Sequence, residues 1–187
     1  LFRSRAELFI LWVTVGATLL RGGWEGAVVR AFGAWTSHGL GDQVRHAFRR
    51  WTRVMVAIGC AAGLIGSRLF TPEHSLGPSE WIGWGIGAWV VIGWLAECLR
   101  GTGHVSTYAL FQPGWWMLLA GLLIVFGVQD PAMALVLSAL AMAGLSLAGT
   151  SWWFFNRYRT SAEGQGQPEV SMGRLALPIW RSEEHTS

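Results

Sequence analysis

The sequence predicts an all-α fold, a polytopic transmembrane helical bundle of about five spans. Three observations predict it. The first is composition: 52% of the 187 residues are hydrophobic and 13% are charged, well under the charged share usual in soluble domains. That much apolar surface suits a lipid solvent better than a water-soluble core of this size. The second is spacing, with apolar stretches at 6–20, 54–70, 81–99, 114–128 and 132–155 separated by polar ones. The third is the placement of arginine, which alternates from one connecting segment to the next.

Positively charged loops stay on the cytoplasmic side of a membrane, so the alternation predicts an orientation. The segment between the first two stretches carries Arg21, Arg30, Arg45, Arg49, Arg50 and Arg53. The next connection, "TPEHSLGPSE", has two Glu and no Arg. Arg100 opens the third connection, "QDP" contributes only Asp130, and the tail after the fifth stretch opens "NRYR". The start of the first span is therefore expected outside and the tail after the fifth inside. All 14 basic residues are Arg, beside 25 Gly and 13 Trp, a composition that points to a GC-rich bacterial coding sequence. The expected location is the bacterial inner membrane, as a multi-pass protein.

Taken in order, the spans differ in strength. A helical span needs about 20 residues, with roughly 17 to 25 tolerated. The first, 6–20, is short by that measure. The second, 54–70, is long enough if Arg68 snorkels its guanidinium to the interface. The third and fifth qualify without help. The fourth, 114–128, lengthens backwards through "STYALFQP", with Pro113 near its start. Pro72, Pro78, Pro113 and Pro131 all fall in connections or at helix starts, where a missing N–H costs little. Trp51, Trp94, Trp115, Trp116, Trp152 and Trp153 gather near the expected cytoplasmic ends, with Trp81 and Trp84 opposite, as interfacial belts would. Small residues four apart, Gly59 and Gly63, Gly83 and Gly87, Ala139 and Ala143, with Gly144 and Ala148, mark helix faces able to approach closely.

The basic stretch "DQVRHAFRRWTRV", 42–53 and the residue after it, has an apolar stripe at Val44, Phe48, Trp51 and Met55. Arg45, Arg49 and Arg53 form a second stripe, with His46 and Arg50 beside it. The pattern predicts an amphipathic helix lying on the cytoplasmic leaflet before the chain turns into the membrane. Its functional reading is a surface for anionic lipid head groups or for a partner, formed by Arg45, Arg49, Arg50, Arg53 and Trp51. Its plainer reading is topogenic charge with an interfacial anchor. The preceding "GWEGAVVRAFGAWTSHGLG" is too rich in glycine to predict a helix.

For chemistry, Glu97 is the candidate intramembrane polar residue. At 100° per residue it shares one side of the third span with Gly83, Gly87, Val90 and Trp94. Ionisable groups that face a bundle interior usually serve ion or proton pathways. The competing reading keeps Glu97 at interfacial water near the end of its span, paired with Arg100 at i,i+3. Glu7 is a weaker case at the outer end of the first span. His74 and His104 fall on opposite sides of the expected membrane, and His38 and His46 lack neighbouring ligands, so no metal is expected. Cys60 and Cys98 lie inside apolar runs as small hydrophobes. No phosphate-binding glycine loop, HExxH or GxSxG occurs, so no catalytic residue and no cofactor are expected. The partners expected are the lipid bilayer, its anionic head groups and other membrane subunits, with no nucleic acid. The function expected first is a transporter- or channel-like module; a scaffold or anchor subunit is the alternative, and an intramembrane enzyme comes third.

The two ends read differently from the rest. RSEEHTS, 181–187, resembles a translation of a common sequencing adapter, and Leu1-Phe2-Arg3-Ser4 resembles a translation of that adapter's reverse complement. Such segments are set aside in reasoning about fold, which leaves 5–180 as the expected native residues. Within them, 160–169 reads as a polar linker and 170–180 as the start of a further apolar segment, with at least one more span expected upstream of 5.

Overall fold

The structure is a computed structural model that describes residues 2–69, 81–109 and 113–158. Seven helices follow in order: α1 (Phe2–Arg21), α2 (Trp24–Ser37), α3 (Gly41–Leu69), α4 (Ile82–Gly101), α5 (Val105–Ala109), α6 (Pro113–Val125) and α7 (Pro131–Arg157). No strand occurs among the described residues, so the fold is all-α there. The connection 70–80, the linker at 160–169, the apolar segment at 170–180 and the terminal 181–187 lie outside the described residues.

Helix α4 is the centre of the bundle. Its residues are apolar all round, and the helix buries Ile82, Val90, Leu95, Cys98 and Leu99 on different faces. A helix with no polar stripe needs neighbours or lipid on every side. Here α1, α2, α3 and α7 all pack on it. Residue-to-residue contacts fix the directions. Phe9 and Val13 of α1 lie over Gly85, Gly16 faces Ile86, and Arg21 lies over Gly93, so α1 runs parallel to α4. Along α3 the order is reversed: Gly66 meets Gly83, Gly59 meets Gly87, and Thr52 reaches Trp94. The Phe32 ring of α2 faces both Trp94 and Phe154, at 6.2 and 6.3 Å between centroids, which brings the C-terminal ends of α4 and α7 together. Thus α1, α4 and α7 run one way and α3 the other.

Three helices, Gly41–Leu69, Ile82–Gly101 and Pro131–Arg157, are long and apolar enough to cross a membrane. The expected first and fourth spans correspond to shorter apolar runs, Phe9–Arg21 and Trp115–Val125. At about 1.5 Å per residue each of these falls well short of a hydrocarbon core of roughly 30 Å. The start of α7 is set locally: the Asp130 side chain accepts a hydrogen bond from the Ala132 N–H at 2.9 Å, with Pro131 at the first turn.

Two sequence expectations need correcting. The glycine-rich stretch does form a helix, α2, because its glycines sit mostly at the ends. Gly22, Gly23 and Gly39 have φ of 53°, 75° and 69°, the left-handed region that punctuates helices. Between them Val28, Ala31, Phe32 and Trp35 form one buried face against the end of α4. The basic stretch is likewise no separate surface helix. It is the first half of α3, which continues unbroken to Leu69 with its buried face running from Val44 and Phe48 through Met55 to Gly59, Gly63 and Gly66. The buried stripe stays in phase across residue 53, and nothing there breaks the hydrogen-bond ladder to let the chain turn.

Candidate functional site

The most deeply buried carboxylate among the described residues is Glu97, one turn from the end of α4. It is 6% exposed. Arg100 Nη1 lies 3.5 Å from Glu97 Oε2, and that oxygen has no hydrogen-bond donor among the described residues. The ion pair is therefore longer than the ~2.7–2.9 Å of a charge-assisted hydrogen bond.

Two residues that sequence reasoning passed over complete the surroundings. Arg21 closes α1, donating from Nε to the Ala17 carbonyl at 3.3 Å, and its Nη1 pairs with Glu25 Oε1 at 2.7 Å. The Arg21 guanidinium can lie on α4 because Gly93 has no side chain: a Cβ there would sit 2.5 Å from Nη1. Gly93 is one helical turn before Glu97, and both Arg21 and Glu25 act electrostatically on its carboxylate. Two Arg and two Glu from α1, α2 and α4 thus share one junction, with formal charges that cancel. The signal in the sequence was the i,i+4 pair of Arg21 and Glu25 with a glycine four residues before Glu97. None of these marks is distinctive until the fold brings α1 against α4.

The basic stripe divides in two. Arg45 and Arg49 lie over the ring of Phe155 on α7, with guanidinium carbons 5.3 and 4.8 Å from its centroid. Arg49 is exposed, as are Arg50 and Arg53, whereas Arg45 is partly buried. Trp51 packs edge-on against Trp24 at 4.8 Å, joining α3 to α2. The small residues fall in two groups as well. Gly59 and Gly63 face Gly87 and Trp84 across the α3–α4 contact, and Gly83 lies against Ala62, Gly63 and Gly66. Ala139 and Ala143 are buried on α7, while Gly144 faces open space and Ala148 is exposed.

Trp94 and Trp116, expected in interfacial belts, are buried core residues at 4% and 5% exposure. Of the histidines, His104 packs on Trp153 at 4.3 Å, His38 Nδ1 sits 2.7 Å from the Ala34 carbonyl at the end of α2, and His46 is exposed. His74 lies outside the described residues, and Glu7 is exposed. Among the described residues no group of three His, Cys, Asp or Glu is placed to hold a metal ion. What the arrangement at Glu97 can do is hold or release a proton, or balance a small monovalent cation, at a buried carboxylate beside the partly exposed Arg100 and Glu25.

The fold and this junction define a broad class: an all-helical bundle with three helices suited by length and composition to a membrane. Comparison takes it no further, since no family model, curated protein or solved structure matches the chain.

Proposed function

We propose that the chain is a multi-span module of a bacterial inner-membrane protein, transporter- or channel-like, in which Glu97 handles a proton or a small monovalent cation. One observation carries the reading: an ionisable carboxylate on the most enclosed helix, 6% exposed, has an oxygen with no hydrogen-bond donor among the described residues. Burying a charge is costly unless it is both paired and hydrogen-bonded. Arg100 and Arg21 supply opposite charge, but the long pair leaves the hydrogen-bonding requirement unmet. Intramembrane ionisable residues of this kind usually mark ion or proton paths. The membrane setting is supported by three apolar helices and by helix directions that agree with the alternation of arginine.

A specific observation favours a second reading, a membrane scaffold or anchor. The backbones of α3 and α4 meet through glycine, which fixes the two helices against rocking. The readings separate in vesicles. The full-length protein is reconstituted, a proton or potassium gradient is imposed, and its decay is followed with an internal dye. The transport reading expects decay above that of empty vesicles, and at least a roughly tenfold loss (about 1.4 kcal/mol) in Glu97→Gln with unchanged insertion and melting. A silent wild-type protein, or a Glu97→Gln variant as active as wild type, sinks the transport reading in favour of the anchor.

A further inference from the structure

We infer that the junction of α3 and α7 is a binding site for one anionic phospholipid, its phosphodiester held by Arg45 and Arg49. The inference rests on the membrane reading of the bundle but not on any role for Glu97.

Helices α3 and α7 both pack on α4 and meet each other at their charged ends. There Phe48 stacks on Phe154 at 4.1 Å with planes 3° apart. Immediately beside this contact the guanidiniums of Arg45 and Arg49 converge on Phe155. Two like charges brought to one ring repel each other, and the ring's negative face offsets that only in part. No described carboxylate pairs with either. Arg45 Nε has no acceptor among the described residues, so the site is short of negative charge and of hydrogen-bond acceptors together. A phosphodiester supplies both, in the forked geometry that guanidinium favours.

The surface leading away from Phe155 indicates a lipid rather than a free phosphate. Stepping back along α7 by three and four residues gives Trp152, Ala148, Leu145 and Ala141, an exposed apolar strip on the Phe155 side. Trp152 is 69% exposed and Leu145 70%. On α3 the side below Arg49 continues through Val56 and Cys60 to exposed Leu64. A headgroup seated on the two arginines has its acyl chains over these residues. Arg50 and Arg53 carry the same charge nearby but have no aromatic partner among the described residues, which makes them the natural control.

The test is native mass spectrometry of the full chain released from zwitterionic detergent, titrated with phosphatidylglycerol or with phosphatidylcholine of the same acyl chains. The wild-type protein is expected to retain one phosphatidylglycerol in preference to phosphatidylcholine. Each arginine near a lipid surface contributes on the order of 1 kcal/mol, so Arg45→Gln with Arg49→Gln should cut that preference about 30-fold. The same change at Arg50 and Arg53 should leave it within about threefold. Phe155→Leu, which keeps the site apolar and the charges intact, should also weaken it, and covers the case in which the double variant fails to fold. Equal losses from the two arginine pairs would mean diffuse attraction to a basic end and overturn the site. Displacement of the lipid by millimolar glycerol phosphate would reassign it to a soluble phosphate ester. Retention of neither lipid by the wild-type protein would overturn the site, whereas loss of the Glu97 activity alone would leave it untouched.

Discussion

The two halves of the α3–α4 contact are built from opposite materials. In one half the helices meet almost backbone to backbone: Gly66 against Gly83, and Gly59 against Gly87. In the other half they are held apart by large rings, with Phe48, Trp94, Phe32 and Phe154 filling the space between α2, α3, α4 and α7. The difference follows from the solvent each half is suited to. Within lipid, apolar side chains gain little by leaving one another's company, so close approach through small residues and dispersion must hold helices together. On the proposed membrane reading Arg45, Arg49, Arg50 and Arg53 mark the approach to water, where burying aromatic surface regains part of its hydrophobic advantage.

Breaking the glycine half should have the largest effect. A Cβ at Gly87 would run into the Gly59 carbonyl, and one at Gly59 would come within 2.8 Å of the Gly87 oxygen. Backbone cannot rotate aside as a side chain does, so Gly87→Val must push α3 and α4 apart. We expect a loss of about 3 kcal/mol, at the upper end of overpacking costs, read as a fall in unfolding midpoint in detergent. Gly144→Val is the matched control, because a side chain there meets nothing. It should shift stability by no more than about 0.5 kcal/mol. Equal losses from the two would mean that the cost comes from the β-branched side chain itself and not from close approach of the helices.

Breaking the aromatic half should cost less in lipid than in water. Phe154 is fully buried and touches Phe48, Phe32, Trp153 and Tyr158. In an aqueous core Phe→Ala costs about 3–5 kcal/mol. Part of that figure is transfer out of water, which a lipid surround supplies without folding, so about 2 kcal/mol is expected for Phe154→Ala. A loss of 4 kcal/mol or more would place this end wholly in water and move the membrane boundary further toward Gly59.

What the sequence made legible follows the same division. Period and spacing showed the long helices, since α4 and α7 are apolar without interruption for most of their length. The glycines of α3 and α4 were visible because a repeat of four is a local pattern, and it stays local when the helices pack. Helix α2 is hidden because the glycines of its stretch lower helix propensity, while its buried 28-31-32-35 stripe takes its meaning from packing on α4. The Glu97 junction was only half legible. Its partner Arg100 lies on the same helix, but Arg21 and Glu25 reach it through the packing of α1 and α2 on α4, which no local pattern encodes. The convergence of Arg45 and Arg49 on Phe155 was hidden for the same reason, since the ring lies over a hundred residues away in the chain.

The smallest expected effect tests where the two halves join. Trp94 Nε1 donates to Thr52 Oγ1 at 2.9 Å, a buried bond between α4 and α3 that lies between the glycine contact and the ring cluster. Trp94 belongs to the cluster through Phe32, and Thr52 precedes Gly59 by two turns of α3. Replacing Thr52 by Val keeps the shape and strands the indole N–H, while Ser keeps the acceptor and loses a methyl. Interhelical hydrogen bonds in membranes average about 0.6 kcal/mol and reach roughly 1.7. Because an unsatisfied donor in a dry site adds its own penalty, about 1 kcal/mol is expected for Thr52→Val, with Ser recovering most of it. A cycle with Trp94→Phe isolates the bond, and the expected coupling is about 0.6 kcal/mol. A coupling near zero would mean that the indole finds another acceptor, and that the two halves are joined only by the shared backbones of α3 and α4.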